Sequence, residues 1–270
     1  MDGLLLDTED LYTACINLVL AKYKRPNLPW SIKADLQGRP GPDAIAIFLD
    51  WAELPISEAD YKAELHEWQK RLFTTTKPLP GAAELLSNLA AEHPSVQIAL
   101  ATSSHKANFD LKTGHLSEFF SVFPDHRRVL GDDGRLDPKR GKPRPDIFQL
   151  ALKEINDSLP EGETPITPQE CLVFEDSVPG VEAGRRAGMR VAWVPHHGLK
   201  QEMAGHEEEV LAGLTGRAGD VEPHELGKVG DGWAEEFSTL EHFPLRRYGI
   251  VAAGEQDGSS AADYVGHVEW

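Results

Sequence analysis

Apolar residues recur with helical spacing in the first third of the chain. Positions 11, 14, 15, 18 and 19 are apolar and follow Asp7-Thr8-Glu9-Asp10, a stretch with a candidate N-cap and early acids. A helix is predicted from about residue 9 to Lys22, ending before Pro26 and Pro29. Ala44, Ile47, Phe48 and Trp51 mark a second helix, and residues 57–73 a third. Residues 9–78 read as an all-helical module, closed by Leu79-Pro80-Gly81.

The pattern then changes. Residues 82–91 read as a helix. Residues 96–101 (VQIALA) form a short apolar run ending in Thr102-Ser103-Ser104, as a buried parallel strand does. A helix over 108–119, a strand within 121–130 and a Gly/Pro-rich loop over 131–143 follow. Pro145 opens a helix carrying Ile147, Phe148, Ala151, Leu152 and Ile155. Residues 171–174 are a second apolar strand, ending at Glu175-Asp176. Residues 179–187 form a short helix closed by Gly188, and 190–194 a third strand.

Strands alternating with helices predict an α/β fold, a Rossmann-like parallel sheet with helices on both faces. Residues 1–8 and 79–200 build it, and the small all-helical module 9–78 stands apart as a second domain. Ligands of such sheets bind at the carboxyl ends of the strands, where Thr102, Glu175 and Asp176 stand. Beyond residue 200 the periodicity fades. Residues 204–235 hold seven glycines and read as an acidic surface insertion. Residues 237–248 pack back on the core through Phe237, Leu240, Phe243 and Leu245, and 251–270 read as a disordered tail.

Charge narrows the partners. The formal net charge of −17 argues against nucleic acid, whose phosphates need basic patches. Residues 201–270 carry 15 acidic against 4 basic residues, so most of the excess lies there. Cys15 and Cys171 read as two buried, reduced thiols, consistent with a cytoplasmic protein. No apolar run reaches the ~18 residues of a membrane span, and no secretory signal is visible. A monomer or weak dimer is expected.

Several residue groups could do chemistry. Two adjacent carboxylates at a strand end, Glu175 and Asp176, are costly unless a cation sits between them, and oxygen donors suit Mg²⁺; a solvated acidic pair capping a helix is the alternative. Thr102, Ser103 and Ser104 offer hydroxyls and N–H groups to a phosphate, or simply cap the next helix. Lys142, held between Gly141 and Pro143, could stabilise phosphoryl charge or lie solvated; Lys139 and Arg144 are expected at the surface. Asp2, followed by a permissive glycine, could serve as general acid and base or be a frayed end. His196 and His197 are adjacent on an extended segment and are expected to point apart, so they make no metal pair.

Taken in order, Asp2-Gly3, Thr102, Lys142 and Glu175-Asp176 resemble the four motifs of the haloacid dehalogenase (HAD) phosphatases. The stretches MDGLLLDTE, ALATSS, GKPRPDIF and LVFEDSVPGVEAGRRAGM are similar to the subgroup with a small helical cap, which includes pseudouridine-5'-phosphatases, beta-phosphoglucomutases and small sugar- and polyol-phosphate phosphatases. The resemblance implies Mg²⁺-dependent hydrolysis of a small phosphorylated metabolite through an aspartyl-phosphate. Asp2 would act as acid and base and lend its carbonyl to Mg²⁺. Thr102, the N–H of Ser103 and Lys142 would hold the phosphoryl group. Glu175 and Asp176 would hold Mg²⁺, residues 4–10 would hinge the cap, and residues 9–78 would select the substrate. The family's nucleophilic Asp and its strand would precede Met1, which is expected to be an internal methionine of a longer chain. The alternatives are a phosphosugar mutase of the same fold, or a nucleophile-less relative that binds phosphorylated ligands or a protein.

Overall fold

A computed structural model describes residues 1–39, 41–92, 96–215 and 227–250. The first helices are α1 (Glu9–Lys22), α2 (Trp30–Leu36), α3 (Gly41–Ala52) and α4 (Glu58–Leu72). Their shared core is Val19, Leu20, Leu28, Phe48, Ala52 and Tyr61, with the Phe48 and Tyr61 rings stacked at 4.7 Å. Ser57 caps α4 by accepting from the Asp60 N–H at 3.1 Å. The hydrophobic spacing did not predict α2. It spans under two turns, too short to show a period, and its apolar residues divide between Trp30 and Ala34 on the neighbouring domain and Ile32 and Leu36 on the module's own core.

The remainder alternates strands and helices: α5 (Ala82–Glu92), β1 (Leu100–Ala101), α6 (Lys106–Thr113), α7 (Ser117–Phe120), β2 (Arg128–Val129), α8 (Asp146–Asp157), β3 (Leu172–Glu175), α9 (Val178–Arg186), β4 (Arg190–Trp193), α10 (His197–Glu202), α11 (Glu207–Ala212) and β5 (Ala234–Glu236). Among the described residues, the named strands pair in parallel. The fold is α/β and Rossmann-like, as expected. Side chains alternate between two apolar layers: Val173, Val191 and Trp193 face α8, α9 and α11, whereas Leu172, Phe174, Ala192 and Val194 face residues of α5, α6 and α7.

Four expectations need correction. The sheet is in two pieces among the described residues, β1–β2 and β3–β4–β5. Leu100 and Ala101 on one side and Leu172, Val173 and Phe174 on the other line an apolar cavity of about 720 Å³ between them. The expected strand over 96–101 shrinks to Leu100–Ala101 because β2 offers only Arg128 and Val129 as partners. The expected helix over 108–119 is broken at Gly114 into α6, a turn of 3₁₀-helix and α7. The segment 204–235 is not a plain insertion: α11 packs Val210 into the core and β5 adds the outer strand of the larger sheet. Ala234–Glu236 shows no apolar alternation, since an edge strand half-exposed on one side needs little. The expected tail, 251–270, lies outside the described residues. Residues 237–248 do pack back, with Phe243 against Phe174 at 4.8 Å.

Both cysteines are free, but only Cys15 is buried; Cys171 is half-buried. No helix among the described residues is long and apolar enough to cross a membrane.

Candidate active site

Two connections join the helical module to the α/β core, and they run side by side. The Asp7 N–H donates to the Lys77 carbonyl and the Leu79 N–H to the Leu5 carbonyl, each at 2.9 Å. Ahead of this pairing Gly3 adopts φ +63°, and its N–H donates to Thr8 Oγ1 at 3.0 Å. A Cβ at Gly3 would lie 2.3 Å from Asp176 Oδ2. Gly3 is therefore required twice, for its backbone conformation and for the approach of Asp176.

Asp2 stands at the start of this segment. Its two carboxylate oxygens accept from Lys112 Nζ at 2.6 and 2.8 Å, and Oδ2 also accepts from Ser104 Oγ at 2.7 Å. Burial acts to raise the Asp2 carboxyl, but the Lys112 ammonium, the N-terminal charge and the Ser104 hydroxyl together hold the group below its ordinary range. Asp2 is thus an ordered carboxylate and not a frayed end.

Glu175 and Asp176 stand at the end of β3, both buried. Lys142, also buried, pairs with Glu175, so the solvated alternative for this lysine is overturned. Arg144, expected at the surface, is half-buried. Burial alone would raise Glu175; Lys142, the N-terminal charge and the Ser177 N–H together lower it. Asp176 forms no ion pair among the described residues and is pushed well up by burial and by the charges of Glu175 and Glu9. Its Oδ2 accepts from Gln37 Nε2 at 2.6 Å, and its carbonyl accepts from the Trp193 indole at 3.1 Å. Ser177 caps α9 through the Gly180 N–H at 3.2 Å. Gly180 lies against Glu175, where a Cβ would come within 2.0 Å of the carboxylate.

Thr102 is buried at the end of β1. Its N–H donates to the Val129 carbonyl at 3.0 Å and its Oγ1 accepts from the Ser104 N–H at 3.2 Å. The Ser103 carbonyl lies against Gly131. The side chain that joins Asp2 is that of Ser104, which the motif reading passed over in favour of its neighbour.

The module closes over this region through α2. Lys33 Nζ donates to the Glu9 carbonyl and Thr13 Oγ1, both at 2.6 Å, and lies 4.5 Å above the Trp30 ring. Trp30 stacks on His196 at 4.7 Å. The His196 and His197 rings do not point apart: the chain turns into α10 between them and brings their centroids to 4.1 Å. His196 Nδ1 accepts from the Gly198 N–H at 3.1 Å, so it caps a helix. Among the described residues no three His, Cys, Asp or Glu side chains group as a metal ligand set.

Sequence reasoning missed Lys112, Tyr12 and Gln37, and gave Ser104 as a phosphate donor or helix cap, without its bond to Asp2. One signal was available for Lys112: it shares a helix face with Phe109 and Thr113, both buried, so a lysine there needed a buried partner. Gln37 gave none, since it becomes part of the site only when α2 docks.

A half-sheet ending in carboxylates, an acid–lysine pair and a helical module docked above them point to a hydrolase of the HAD type. Residues 1–188 match the haloacid dehalogenase-like hydrolase family, and the chain belongs to it. A probable pseudouridine-5'-phosphatase of Saccharomyces cerevisiae is 42% identical over 85% of this chain and 94% of its own length. The (DL)-glycerol-3-phosphatase 1, mitochondrial, of Arabidopsis thaliana is 38% identical over 84% of this chain and 71% of its own. The crystal structure of a haloacid dehalogenase-like protein from Agrobacterium tumefaciens shares the fold with a TM-score of 0.60, covering 92% of this chain and 95% of that one at 20% identity.

Proposed function

We propose that this protein is a Mg²⁺-dependent phosphatase of small phosphomonoesters, of the nucleoside-monophosphate or polyol- and sugar-phosphate kind, working through an aspartyl-phosphate. The observation that supports it best is the buried pair Glu175 and Asp176 packed against Gly3, next to Asp2, with Lys142 on one carboxylate and the other pushed far above its ordinary range. Like charges buried together favour a cation. The donors are oxygens only, which suits Mg²⁺ over zinc, and two carboxylates with the Asp2 carbonyl leave positions for water and substrate, as Mg²⁺ prefers. Bound there, Mg²⁺ would offset the charge on the phosphoryl oxygens. Glu175, Asp176 and the Asp2 carbonyl would hold it, and Thr102, the Ser103 N–H and Lys142 would hold the phosphoryl group.

In this reading the nucleophilic Asp that the family resemblance implies attacks phosphorus through a carboxylate oxygen, the ester P–O bond breaks, and the leaving oxygen takes a proton from Asp2. Water then attacks phosphorus, gives its proton to Asp2, and the acyl-phosphate P–O bond breaks to release phosphate. The ionised form of Asp2, which its pairing with Lys112 favours, is the one that accepts the proton from water. The relatives' substrates, pseudouridine 5'-phosphate and glycerol 3-phosphate, define the first candidates.

The test has two arms. Turnover of those two esters and of p-nitrophenyl phosphate is measured with Mg²⁺ and with EDTA. Hydrolysis that needs Mg²⁺ and falls on the order of 10²–10⁴-fold in Asp2→Asn supports the reading. In parallel, beryllium fluoride with Mg²⁺ mimics a phosphorylated aspartate and should raise the melting temperature. No turnover together with no shift sinks it.

A further inference from the structure

We propose that Lys112 is a positioning residue that couples the seating of the helical module to the orientation of Asp2. The inference rests on the reading of Asp2 as the proton-transferring carboxylate. Lys112 lies on α6, in the α/β core, and its side chain is fully buried (0% exposed). A buried ammonium is tolerated only where its hydrogens are all engaged. Lys112 Nζ engages both Asp2 oxygens, Ser104 Oγ at 2.5 Å and the Tyr12 hydroxyl at 3.1 Å. Its three N–H groups thus serve three residues, and the two-point contact with Asp2 defines the plane of that carboxylate.

Tyr12 is the informative partner, because it lies on α1 and not in the core. Its ring meets Phe73, just beyond α4, edge to face at 4.8 Å. The ammonium lies 5.2 Å from the Tyr12 ring centroid and 5.5 Å from that of Phe73. The second connection is held from the same residue: Thr76 Oγ1 donates to the Lys112 carbonyl at 2.6 Å. The residues at both junctions between module and core therefore converge on Lys112, by its side chain at Tyr12 and by its backbone at Thr76. Neutralising Asp2 would require none of these module contacts. When the module lifts, Tyr12 and Phe73 leave, water reaches the ammonium, and its grip on Asp2 loosens. When the module seats, the Asp2 carboxylate is fixed. Coupling of this kind is reciprocal, so a change at Asp2 must be felt at the junction.

The experiment is hydrogen exchange on the full-length chain, comparing the wild type with Asp2→Asn, Lys112→Met, the double variant and Tyr12→Phe. Asp2→Asn should accelerate amide exchange in residues 73–78, distant from it in sequence, on the order of tenfold. Lys112→Met should do so at least as much, and the double variant no more than Lys112→Met. Residues 73–78 unchanged in Asp2→Asn, or effects that multiply in the double variant, overturn the proposal. If Lys112→Met speeds exchange equally in β3, β4 and α8, general loosening masks it and Tyr12→Phe decides. Loss of one hydroxyl should then still accelerate residues 73–78, and no acceleration refutes the coupling. Turnover separates the two readings. If Asp2→Asn retains full activity, the proton-transfer role fails while the exchange result stands. If Asp2→Asn is impaired but Lys112→Met keeps its kcat, the positioning role fails. A fall in kcat at unchanged KM in Lys112→Met supports it.

Discussion

At the scale of single residues, the site is a set of buried charges that tolerate one another only in pairs. Lys142 and Glu175 are both buried and in contact. Removing one partner leaves the other charge uncompensated, which costs about 3–5 kcal/mol. Lys142→Met is therefore expected to lower stability by that order in EDTA, measured by urea denaturation, and millimolar Mg²⁺ should restore part of the loss by taking over the carboxylates. A loss that Mg²⁺ leaves untouched would argue against a cation at Glu175 and Asp176. The Gly-Lys-Pro loop already marked Lys142 as a candidate. Its burial was not visible in the sequence, because it depends on β3 delivering Glu175 from 33 residues further along.

At the scale of elements, α9 carries its own ion pair beneath the sheet. Glu182 and Arg186 lie one turn apart with charges 2.8 Å apart and side chains 1% exposed. Burial pushes the Glu182 carboxyl up to about 7, and Arg186 opposes this only in part. A carboxyl raised in the folded state contributes stability that is complete below its unfolded value near 4.5 and is lost as pH rises through about 7. Comparing the melting of wild type and Glu182→Gln across pH 4–8 isolates this contribution. The wild type should lose stability relative to the variant between about 4.5 and 7, and parallel curves would show that Glu182 does not titrate there. The apolar face of α8 and the Gly188 stop after α9 were legible from spacing and turn chemistry, since local patterns determine them. The length of β1 was not, because a strand extends only as far as its partner does.

At the scale of the molecule, the module rests on the core through α2 and α10. Gly198 lies beneath Trp30, and a Cβ there would come within 2.1 Å of the indole. Trp30 in turn stacks on His196 and carries Lys33 over its face. Gly198→Ala must displace the indole, so it should cost about 1–3 kcal/mol by overpacking. It should also hasten limited proteolysis within residues 30–39. An unchanged cleavage rate would show that α2 is held by other contacts. Because Gln37 follows α2 directly and reaches Asp176, this docking also completes the site.

The amino-acid sequence by itself determined the alternation of strands and helices, the helical module, the acidic balance and the four motif positions, because each is written in local spacing or in residue type. Only the tertiary structure decided which charges meet. Asp2 and Lys112 are separated by 110 residues, and Gln37 and Asp176 by 139. Their meeting follows from parallel crossovers and from the docking of one domain on another, and no periodicity along the chain encodes either. The same reason accounts for the divided sheet and for β5. Pairing between distant segments is a property of the packed molecule, and a strand as plain as Ala234–Glu236 acquires its place from its neighbour β4.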